Sequence, residues 1–64
     1  MTRKEYNELT EPQIELYNLV QEVRKKYSEL ELTKKQIAEL LVNEYGYGTS
    51  EVTIYNRIAR IKGI

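Results

Sequence analysis

A chain of 64 residues is at most one small domain, and a domain of that size buries only about 60% of the surface its unfolded form exposes. It carries no cysteine and no histidine, which excludes a disulfide scaffold, points to the cytoplasm, and removes the commonest general base and metal ligand. Ten Lys and Arg cancel ten acidic residues, all Glu, so no whole-molecule charge draws it to nucleic acid or membrane, and no apolar run has membrane-spanning length.

In chain order, residues 1–9 read as a short polar lead-in, too charged for a signal peptide, with Tyr6 and Leu9 available to pack. The domain proper is expected over 10–64. Thr10-Glu11-Pro12-Gln13 is a helix start: a Thr cap, a proline in the first turn and Gln at the capping-box position. Leu16, Leu19, Val20, Val23, Tyr27 and Leu30 then fall on one stripe at helical spacing, opposite Asn18, Glu22 and Lys25. Tyr17 widens that stripe. Ile14 lies off it, free to be exposed or to meet another subunit.

Glu29-Leu30-Glu31-Leu32 fits a helix end, a linker or a brief strand, and the pattern does not choose among them. Thr33-Lys34-Lys35-Gln36 repeats the capping box and opens a second, shorter helix, with Ile37, Leu40 and Leu41 inward and Ala38 where a neighbour can approach closely. Tyr45-Gly46-Tyr47-Gly48 ends it, glycine taking left-handed backbone angles without steric cost. The two tyrosines there are expected to pin the link to the core. Ser50, with Thr49 as the alternative, caps a third helix over about 51–62. Its Ile54, Ile58 and Ile61 must face inward, and Val52, Asn56 and Arg60 face outward, flanked by Thr53 and Ala59. The expected fold is all-α: three helices around one core.

That third helix shows short or hydrogen-bonding side chains where the other two show Glu and Lys. Asn pairs with adenine through two bonds, Arg with guanine, and Val or a Thr methyl packs on the thymine methyl. Val52, Thr53, Asn56, Arg57 and Arg60 are therefore candidate base contacts on double-stranded DNA. Lys34, Lys35, Thr49, Ser50 and Tyr55 are candidate phosphate contacts, since the free amides of a helix N-terminus attract anions. Charge distribution leans the same way: from Thr33 onward five basic residues stand against three Glu. Bland alternatives accompany each. Lys34 and Lys35 can be solvated lysines, Arg57 and Arg60 can offset the negative end of their helix, and Asn56 can be an idle amide.

TKKQIAELL followed by TSEVTIYNRI resembles the helix-turn-helix of bacterial and phage DNA-binding proteins. Ser50 to Tyr55 is similar to the S-x-x-T-V-Y opening of recognition helices, and Leu9-Thr10 with Gln13 resembles the L-T-x-x-Q start of winged helix-turn-helix repressors. Ala38 and Gly48 stand ten residues apart, further than in the compact pattern, which resembles the long turn of arginine-repressor-type domains. The resemblance implies a winged-helix-like core, its wing absent or truncated after Ile64, acting in transcriptional regulation, recombination, replication initiation or DNA packaging. A palindromic site would take two copies, hence a homodimer. The rival expectation is a protein-interaction or dimerisation module that ignores DNA. No constellation supports an enzyme, and no cofactor or metal is implied.

Overall fold

The structure, a computed structural model, describes residues 3–61 and Ile64, with the backbone alone for Glu5. Four helices follow one another: α1 (Arg3–Asn7), α2 (Glu11–Lys26), α3 (Lys34–Asn43) and α4 (Glu51–Arg60). The last three are the three helices expected from the sequence, and no strand occurs among the described residues.

Both capping boxes form. The Thr10 side chain accepts from the Gln13 amide, and Gln13 Oε1 accepts from the Thr10 amide at 2.9 Å; Thr33 and Gln36 repeat the pair, with the same 2.9 Å return bond. Each box satisfies two amides that a helix start otherwise leaves without partners. Pro12 occupies the first turn of α2, where its missing amide costs nothing, and Arg24, Lys25 and Lys26 sit in the last turn beside the negative helix end. Ser50, not Thr49, caps α4 by accepting from the Thr53 amide.

The core is small and wholly aliphatic: Leu16, Val20 and Val23 from α2, Ile37, Ala38 and Leu41 from α3, and Ile54, Ile58 and Ile61 from α4 and its end. Every residue of the expected inward set for α4 is in it. The most closely packed pair is α3 and α4, and Ala38, 1% exposed, is the small residue that lets neighbouring helices close up. Tyr17, Leu19, Tyr27 and Leu40 border the core, as the stripes predict, and Tyr45 and Tyr47 from the link pack against it as expected.

Three expectations need correction. Leu30 does not extend the α2 stripe and is 58% exposed: the helix ends at Lys26, and after its cap Tyr27 helical spacing no longer sets where Leu30 points. The lead-in holds a helix not expected there, since residues 3–7 wind into α1; Tyr6 and Leu9 pack as expected, Tyr6 edge-on against Tyr17 with ring centroids 5.6 Å apart. Finally, α4 stops at Arg60. Ile61 is extended (φ −88°, ψ 114°) and returns its amide only to Ile58, so the helix expected over 51–62 is shorter; Lys62 lies outside the described residues.

The link between α3 and α4 is fastened where it leaves α3. Gly46 and Gly48 adopt left-handed angles, φ 64° and 80°. The Tyr47 amide reaches back to the Leu41 carbonyl at 2.8 Å, and the Tyr45 amide to Leu40 at 3.3 Å. At the same end Tyr27 donates to the Glu44 carboxylate at 2.8 and 3.0 Å, while the Lys26 ammonium stands 3.8 Å from that carboxylate and over the Tyr27 and Tyr45 rings. The end of α2 is thereby tied to the cap of α3.

Candidate nucleic-acid interface

With Ile54 and Ile58 buried, the 100° step of a helix dictates where the rest of α4 points. Val52, Thr53, Tyr55, Asn56, Arg57, Ala59 and Arg60 are all exposed, and Val52 reaches 70%. The outward ridge read from the sequence therefore stands free of neighbouring segments. Thr49 and Ser50, at the helix start, are exposed, as is Lys35; Lys34 is half-buried.

The ridge has two unlike margins. On one, Arg57 and Arg60 line a groove against the start of α2, with Thr10, Gln13 and Tyr47. Neither guanidinium has a hydrogen bond or ion pair with any described residue; the single ion pair among these is Lys26 with Glu44. Both side chains are exposed, so two fixed positive charges are presented to solvent. On the other margin, Val52 and Tyr55 line a groove against α3, with Lys35, Glu39 and Glu51. Glu51 is held toward α3 by Asn43, whose Nδ2 donates to Glu51 Oε1 at 2.8 Å. This margin is apolar at its centre and carries two carboxylates to one ammonium.

The sequence grouped Val52 with Arg57 and Arg60, and the structure separates them. Val52 and Arg57 are five residues apart, a rotation of roughly 140° on the wheel, so they look toward different helices. Asn56 lies between the two margins, on the open crest, while Thr53 falls between Arg57 and Arg60 on the wheel. Tyr55, a candidate phosphate contact, stands on the margin that bears Glu39 and Glu51, and Lys35 is beside the same carboxylates. The pairing of Glu51 with Asn43 left no trace in the sequence pattern, because it depends on how the link folds back.

Two groups away from α4 titrate unusually. Donation to Glu44 raises the Tyr27 hydroxyl above the ordinary tyrosine value, with burial and the Glu44 charge adding to it; Glu44, then Tyr27 and Tyr45, raise Lys26. Both belong to the α2–α3 tie. Among the described residues no cluster of carboxylates is arranged to hold a metal, and no helix is long and apolar enough to cross a membrane.

Comparison with known proteins finds no matching family model, no matching curated protein and no matching solved structure.

Proposed function

We propose that this chain is a sequence-specific double-stranded DNA-binding domain of the helix-turn-helix type, serving transcriptional regulation in the cytoplasm, with α4 entering the major groove. One observation carries the reading. The crest of α4 is open at Asn56, and beside it stand Thr53 and two arginines that have no partner among the described residues. Asn and Arg offer the paired donors and acceptors that distinguish base edges, and Ala59 keeps the backbone close to them. Arg57 and Arg60 reach either guanine or the flanking phosphates. Thr49 and Ser50 at the start of α4, and Lys34 at the start of α3, are placed to hold the sugar–phosphate chain. Val52 lies on the margin against α3 and takes no part in this assignment. Tyr55 and Lys35 are left out of this assignment, since phosphate would meet Glu39 and Glu51 there.

Fluorescence anisotropy of labelled duplexes, with a random-sequence pool to select preferred sites, tests this. The expected result is binding that weakens as salt rises, with log K falling by about 0.9 per phosphate neutralised. Arg57→Ala and Arg60→Ala should each weaken binding on the order of tenfold. Asn56→Ala should relax the base preference at one position. Absence of binding at low salt, or full affinity in both arginine variants, refutes the reading.

A further inference from the structure

Among the described residues three large apolar side chains are exposed: Leu30 at 58%, Val52 at 70% and Tyr55 at 41%. All three stand beside one element, α3. Val52 and Tyr55 line the groove on its α4 side, and Leu30, with Tyr27, Leu32 and Leu40, lines a groove on its α2 side. Glu39 belongs to the walls of both, so the two grooves meet across the outer surface of α3. That surface is polar but sparsely charged: Lys35, Gln36, Glu39 and Asn43, spread over about 12 Å of helix at 1.5 Å per residue. A band of this composition, apolar along both sides and nearly neutral in the middle, is unlike a nucleic-acid footprint and like the centre of a protein contact.

The charges select the occupant. Lys35 and Glu39 are one turn apart on α3 and form no ion pair with each other; Lys preceding Glu is the less favourable order within a helix. Bringing a second copy against this face with the two α3 helices antiparallel sets Lys35 of each copy opposite Glu39 of the other. The pairing occurs twice, as a two-fold axis requires. A parallel arrangement sets like charge on like. The antiparallel one also brings each apolar groove against its own counterpart, Val52 and Tyr55 facing the same residues of the second copy.

We propose that the outer face of α3, with Leu30 on one side and Val52 and Tyr55 on the other, is a homodimer interface in which Lys35 and Glu39 pair reciprocally between antiparallel α3 helices. The inference is independent of DNA binding. The face lies on the margin of α4 opposite Arg57 and Arg60, so a dimer leaves those arginines free.

Sedimentation equilibrium of the whole chain without DNA, from low micromolar to millimolar concentration, tests the proposal. A monomer–dimer equilibrium is expected. Leu30→Glu and Val52→Glu alter exposed positions and should keep the helical circular dichroism signal, yet weaken the dimer on the order of tenfold each. Lys35→Glu or Glu39→Lys alone should weaken it, and the double exchange should restore most of the loss, a rescue that only reciprocal pairing produces. A monomer throughout the range overturns the proposal. So does a dimer indifferent to both apolar variants, which would use another face, or a double exchange no better than the single ones. DNA affinity lost in the arginine variants while dimerisation stays intact separates failure of one reading from failure of the other.

Discussion

Replacing each of the two left-handed glycines by alanine measures how the α3–α4 link positions α4. Gly46 and Gly48 have similar backbone angles, φ 64° and 80°, so a methyl group at either incurs the left-handed penalty of about 1 to 2 kcal/mol. Their surroundings differ. A Cβ built on Gly46 meets nothing within 4 Å, whereas one on Gly48 comes within 2.8 Å of Ile54 Cδ1 and 3.2 Å of its Cγ1. Ile54 is 1% exposed and cannot swing into solvent, so the overlap must be relieved by moving a core side chain or the start of α4. Forced repacking of that kind adds about 1 to 3 kcal/mol. Gly48→Ala is then expected to cost roughly 2 to 5 kcal/mol against about 1 to 2 for Gly46→Ala. A domain of this length holds on the order of 3 to 10 kcal/mol in all. Thermal melts followed by circular dichroism at 222 nm (the wavelength of helical absorbance), about 4 to 8 °C per kcal/mol for so small a domain, resolve the difference. Equal losses in the two variants, or a milder loss at Gly48, would refute the claim that Gly48 is required by its approach to Ile54 and not by backbone angle alone.

Two further outcomes are expected. Thr10→Ala and Thr33→Ala each remove one side of a capping box and should cost about 1 kcal/mol in urea denaturation, adding nearly independently because the caps begin different helices; a loss confined to one variant would show the other box to be idle. The Tyr27 hydroxyl and Lys26 ammonium both titrate above their ordinary values of 10.0 and 10.5, so the folded state favours their protonated forms. That contribution is complete below the unfolded values and is lost as pH rises through the raised ones. The urea midpoint should therefore fall more steeply above pH 10 in the parent chain than in Tyr27→Phe, and identical alkaline slopes would remove the Tyr27–Glu44 bond from the account.

Much of the fold was legible because its signals are local. The Thr–Gln boxes at 10–13 and 33–36 are satisfied by atoms three residues apart, whatever the rest of the chain does. The spacing of Ile54, Ile58 and Ile61 leaves one inward direction for α4, and all three are buried. The misreadings arose where a boundary had to be placed. Leu30 continues the α2 rhythm in the sequence, yet the chain leaves the helix after Lys26. Residues 3–7 lack a strong apolar stripe, and their helix meets α2 through the contact of Tyr6 with Tyr17.

By itself, then, the sequence determined three amphipathic helices, where two of them start, which isoleucines are core, and that a ridge of Val, Thr, Asn and Arg faces outward. Only the tertiary structure decided what stands beside that ridge. It set Arg57 and Arg60 next to the start of α2, and Val52 and Tyr55 next to Lys35, Glu39 and Glu51. Periodicity specifies the direction of a side chain relative to its own helix axis. The neighbour it finds there depends on how the helices pack and how the link between them turns, and those distances join residues far apart in the chain.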